Sequence, residues 1–170
     1  MHKEYYKDGT PCECDEMERL YYASGALESE IPYVNDKKHG IKRCYYRSGA
    51  LDKETPYVND REHGTARWYY TSGALSAEIP YANGKEHGIR KSYYESGALE
   101  QEVPYINCKI HGKKRQYYPT GGLWVEVPYA NDKEHGITKE YHESGALVAM
   151  YTHNHGDFCP MNGCPIENFI

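Results

Sequence analysis

The sequence predicts an all-β fold, an elongated single antiparallel meander sheet made of stacked 24-residue β-hairpins. The period is the first sign. A Tyr-Tyr doublet begins at Tyr21, Tyr45, Tyr69, Tyr93 and Tyr117, and Tyr141-His142 continues it at the same step of 24. The second sign is that turn residues come twice per unit, as Ser48-Gly49 and then Asn59-Asp60, the latter becoming Asn83-Gly84 one copy later. The third is that Tyr, Thr, Ile and Val fill the segments between, which are too short for an ordinary helix and suit strands. A fixed period in this range marks an array in which each unit buries its surface by stacking on the next.

Taken in order, residues 1–20 form an N-terminal partial repeat or cap, because Tyr5-Tyr6 precedes Tyr21 by sixteen residues instead of twenty-four. Residues 21–151 form the array, with two strands expected per unit. Residues 152–170, where the pattern breaks off, form a C-terminal Cys/His-containing cap. If Ser48-Gly49 is a two-residue loop, Tyr46 faces Leu51 and Arg43 faces Glu54. The second pairing then recurs as Arg19/Glu30, Arg67/Glu78, Lys91/Glu102 and Arg115/Glu126, opposite charges in every copy. The same register places Tyr46, Leu51, Thr55 and Tyr57 on one face, where Thr55 is replaced by Ile31, Ile79, Val103 or Val127, so that face is the expected core. Pro56 and its equivalents cannot donate to a central ladder and are expected at a bulge or a strand end. Gly64 and its equivalents Gly40, Gly88, Gly112 and Gly136 are expected in a restricted backbone conformation at the start of each unit.

Composition narrows the function. The formal net charge is −5 and the basic residues are spread evenly, which lacks the footprint of a nucleic-acid binder. Nineteen tyrosines provide the large apolar faces that a scarcity of aliphatic residues would otherwise deny the fold. No apolar run suggests a signal peptide or membrane span, and the six cysteines are irregularly placed, so reduced thiols and a cytoplasmic location (host cytoplasm or virion, if viral) are expected.

The recurring Y-x-S-G-A-L-x-x-E-x-P-Y-x-N-x-x-x-H-G pattern, carried by Gly49, Leu51, Glu54, Tyr57, Asn59, His63 and Gly64, resembles the MORN-type repeat over residues 21 to 151. The bacterial variant of that repeat is often described as an antitoxin component of a toxin–antitoxin pair. The resemblance implies stacked hairpins in a twisted sheet that binds proteins or, in some cases, phospholipid headgroups.

The five His-Gly histidines invite a metal reading, but equivalent positions two strands apart lie roughly 9.6 Å from each other, whereas zinc ligands sit about 2 Å from the ion. The repeated glutamates each have a basic partner, which favours a structural role over paired acid/base catalysis. No nucleophile, base and orienting acid come together, so no catalytic residue and no enzyme activity are expected. No cofactor is expected either. Zinc has one candidate site, His153, His155, Cys159 and Cys164 in the C-terminal cap. Residues that break an otherwise polar register, Cys44, Trp68, Cys108, Ile110 and Trp124, are the candidate partner contacts.

The leading expectation is a non-enzymatic protein-binding scaffold, with an antitoxin-like inhibitor as one version. A structural component of a larger, viral or cellular, assembly is the alternative. Peripheral binding to phospholipid ranks third, because the basic residues are matched by acidic ones, and nucleic acid is not an expected partner. The sequence leaves oligomeric state open.

Overall fold

The computed structural model describes residues 4–154 and 157–160, and every regular element among them is a β-strand. The chain forms two compact units, Met1–His87 and Gly88–Ile170. In each, antiparallel hairpins follow one another as a meander, as the periodicity requires.

One repeat illustrates the rest. Gly40–Tyr45 pairs with Leu51–Val58, and Arg43 stands opposite Glu54 as the charge pattern demands. The loop between them differs from the expected one. The Gly49 N–H donates to the Tyr46 carbonyl at 2.8 Å and the Tyr46 N–H to the Ala50 carbonyl at 2.8 Å, with Gly49 at φ 87°. This closes a three-residue loop with glycine in the left-handed position. Tyr45, not Tyr46, therefore stands opposite Leu51. A bulge at Asp52 then takes up the extra residue, so that Cys44 meets Lys53 and the charge register is restored. Two offsets cancel, which is why the pairing of Arg43 with Glu54 follows even from the wrong loop length.

The bulge also corrects the face assignment. Leu51 shares a face with Tyr45, Arg43 and Glu54, whereas Thr55 and Tyr57 lie on the opposite face with Lys42 and Cys44. On that second face Thr55, Ala66 and Ile79 are 1%, 0% and 1% exposed in the first unit, and Val103 and Val125 are buried in the second. This aliphatic face holds the β-branched core, without Leu51.

Each repeat has three strand segments instead of two. Beyond Val58, Asn59 and Asp60 both take positive φ, 50° and 68°, the signature of a two-residue type I′ turn. The chain then returns as Arg61–Glu62, pairing Tyr57 with Glu62 and Val58 with Arg61. Pro56 lies inside the long strand, not at its end or in a bulge. Its carbonyl accepts the His63 N–H at 3.0 Å. A strand residue's N and O point to the same side, so the proline ring faces the start of the next repeat, where no ladder donor is needed. There Gly64 makes room: a Cβ on it would lie 3.2 Å from Pro56 Cγ, and its φ is 108°. The same match of glycine to proline recurs at Gly40 with Pro32, Gly112 with Pro104 and Gly136 with Pro128.

Candidate functional site

The face opposite the aliphatic core is organised by charge. Arg43 Nε bonds Glu54 Oε1 at 3.0 Å, Arg67 Nε bonds Glu78 at 3.3 Å, and Arg115 Nε bonds Glu126 at 2.9 Å. Glu54, Glu102 and Glu30 also serve the following repeat. Tyr69 donates its hydroxyl to Glu54 at 3.1 Å, Tyr117 donates to Glu102 at 2.9 Å, and Tyr45 donates to fully buried Glu30. Burial and the Glu102 hydrogen bond together push the Tyr117 phenol up to about 12. The second tyrosine of the doublet adds a further tie: Tyr22, Tyr46, Tyr94 and Tyr118 donate to the carbonyls of Tyr45, Tyr69, Tyr117 and Tyr141 at 2.6 to 2.9 Å. The doublet is therefore a clamp between successive repeats, and the Glu–Arg pair is the anchor it grips.

In the first unit this face is occupied. Glu4–Tyr5 and Pro11–Cys12 pair as a small separate sheet, closed by the same loop chemistry as the repeats, with the Gly9 N–H on the Tyr6 carbonyl and the Tyr6 N–H on the Thr10 carbonyl. Being sixteen residues from the next doublet, this hairpin does not continue the stack and folds over the charged face. The Lys7 N–H reaches the Glu30 carboxylate at 3.1 Å, Lys7 Nζ bonds the Gly49 carbonyl at 2.9 Å and lies 4.7 Å from the Tyr45 ring centroid. Asp8 meets Arg43 at 3.2 Å, and the Arg43 guanidinium lies 3.9 Å from the Tyr6 ring centroid. The Tyr6 hydroxyl accepts the Ile41 N–H at 3.1 Å. Arg43 is left 12% exposed and Tyr45 6%.

A family model described as a MORN repeat variant matches residues 17–35, 38–59, 62–83, 86–107, 110–131 and 134–155, six consecutive copies. The chain is a MORN repeat protein. No curated protein matches it.

In this MORN chain the candidate contact residues fall into separate places. Cys44 and Trp68 flank Lys53 from its two neighbouring strands on the aliphatic face of the first unit, and the Lys53 ammonium lies 5.0 Å from the Trp68 ring centroid. Burial pushes the Cys44 thiol up. In the second unit Cys108 is exposed in a type I′ turn at φ 66°, Ile110 lies in the short return strand, and Trp124 sits at a bulge with its ring 6.1 Å from that of Tyr118. Of the candidate zinc ligands, His155 and Cys164 lie outside the described residues, as does the side chain of Cys159. His153 is described, with Nδ1 3.2 Å from Glu134 Oε2. Sequence reasoning missed Tyr6, Lys7 and Asp8 as face contacts. The signal was present, since Tyr5-Tyr6-Lys7-Asp8-Gly9-Thr10 repeats the form of Tyr45-Tyr46-Arg47-Ser48-Gly49-Ala50 at the wrong spacing.

Proposed function

We propose that this chain is a non-enzymatic scaffold that binds a protein partner through the charged, tyrosine-rich face of its repeats. The observation that supports this most is the N-terminal hairpin, a piece of polypeptide held on that face by named side chains, the acid of Asp8 on Arg43 and the backbone of Lys7 on Glu30. A surface of paired Glu, Arg and tyrosine hydroxyl offers both donors and acceptors to a peptide, while leaving little uncompensated positive charge for a polyanion. An antitoxin-like inhibitor that occupies a toxin's working surface and a fixed component of an assembly are two forms of this reading.

The test is capture from native lysate with mass spectrometry, run beside flotation with phosphatidylserine vesicles and a gel shift at low salt. A protein recovered in stoichiometric amount is expected, and its loss in Arg115→Glu would place the contact on the charged face. Strong, salt-sensitive binding to vesicles or nucleic acid, with no protein retained, would overturn the reading.

A further inference from the structure

We infer that the charged face around Arg115 in the second unit is a docking site for a β-hairpin turn of a partner protein carrying an aromatic, a basic and an acidic residue in succession. This rests on the protein-scaffold reading and states the chemistry of the partner. The chain itself supplies the template. Its own hairpin presents Tyr6, Lys7 and Asp8 to Glu30, Arg43, Tyr45 and the Gly49 carbonyl. Seventy-two residues on, three repeat steps, the same ligands recur without a change of type as Glu102, Arg115, Tyr117 and Gly121, and Glu126 stands where Glu54 does.

The local geometry recurs as well. Tyr117 donates to Glu102 as Tyr45 does to Glu30, and Arg115 is held by Glu126 at 2.9 Å as Arg43 is by Glu54 at 3.0 Å. The receiving groups are thus already oriented, so a bound turn need not order them. Their exposure differs in the direction the inference requires. Arg115 is 37% exposed against 12% for Arg43 beneath its hairpin. The site also carries an added cation. Lys113, where the first unit has Ile41, holds Glu126 at 2.8 Å and is 57% exposed, which adds a second positive charge to this face beside Arg115. The neighbouring copy around Arg67 is a poorer candidate, because its frame shares Glu54 with the cleft that Lys7 and Asp8 already line.

The docked turn follows from the template. Its backbone N–H donates to Glu102, its ammonium lies over the Tyr117 ring and reaches the Gly121 carbonyl, and its carboxylate pairs with Arg115, whose guanidinium stacks on the aromatic ring.

The probe is a peptide of residues 4–13 with Cys12→Ser, closed head to tail to hold the turn and titrated into the full-length chain. Saturable binding is expected, weakened tenfold or more by Arg115→Ala and restored in part by Arg115→Lys. Changing the probe instead, with Asp8→Asn or Lys7→Gln in the peptide and the chain left intact, is expected to weaken binding similarly, which covers the case of a chain variant that fails to fold. Absence of saturation, or binding indifferent to both the Arg115 and the peptide substitutions, overturns the assignment. Either result would leave the scaffold reading standing on lysate capture, whereas peptide binding with no captured protein would support this site and count against that reading.

Discussion

Gly64 shows how one residue can be constrained twice. Its φ of 108° lies where L side chains are strained, and a Cβ would also press on Pro56 Cγ at 3.2 Å. Gly73, in the loop after the next tyrosine doublet, has a positive φ of 87° but nothing within 4 Å of its Cβ position. Substituting alanine at Gly73 should therefore cost only the backbone strain, about 1 kcal/mol. Gly64→Ala adds a clash with a ring that belongs to the strand, and should cost about 2 to 4 kcal/mol. Thermal or urea unfolding of the two variants checks the order. Equal losses would show that conformation alone, without the proline contact, sets the requirement for glycine.

Within the hairpin, the turn types explain which features can be read from sequence and which cannot. Asn59-Asp60 and Asn83-Gly84 announce type I′ turns because few residues tolerate two successive left-handed conformations. The return strand Arg61–Glu62 is too short to show a periodicity, so two strands per unit is the natural count from residues alone. The loop at Gly49 is read one residue short, since Ser-Gly fits both a two-residue loop and the end of a three-residue one, and only the bulge at Asp52 distinguishes them. That ambiguity is what moves Leu51 from the core face to the charged face. Cys108 is the exception in its series, holding φ 66° with a side chain that gains nothing from a left-handed position. Cys108→Gly should raise stability by about 0.5 to 1 kcal/mol, seen as a higher midpoint in thermal unfolding, because glycine enters that region without a Cβ penalty. An unchanged or lowered midpoint would mean that the thiol makes a stabilising contact outweighing the strain.

At the scale of the molecule one electrostatic device recurs at Glu30, Glu54 and Glu102, a glutamate paired with an arginine and gripped by the next repeat's phenol, and it gives a pH signature. Burial and the hydrogen bond to Glu102 push the Tyr117 phenol up to about 12 from an ordinary 10.0, and Tyr129, outside this device on the aliphatic face, is raised to about 12 by burial and its own bond to Glu134. The folded state therefore holds protons that the unfolded state releases. Their stabilising contribution is complete below pH 10 and is lost as pH rises from there through 12. Alkaline titration followed by phenolate absorbance and far-UV circular dichroism should show structure and tyrosine protons lost together in that window. Ionisation of these tyrosines near pH 10 with the sheet intact would contradict the network. The charge ladder was legible in the sequence because it repeats with the period. The tyrosine clamp and the folded-over N-terminal hairpin were not, because both depend on which face a side chain reaches once the bulge has shifted the register.

The grip of the charged face on polypeptide is carried by its side chains, and the N-terminal hairpin allows that grip to be measured without any partner. Hydrogen exchange across residues 5–12 should be compared in the native chain, in Arg43→Ala, which removes the group that meets Asp8 and Tyr6, and in Arg67→Ala, which removes the equivalent arginine one repeat further on. Exchange of the hairpin amides, Tyr6 and Gly9 above all, should be at least tenfold faster in Arg43→Ala and unchanged in Arg67→Ala. Equal protection of the hairpin in all three proteins would contradict this grip.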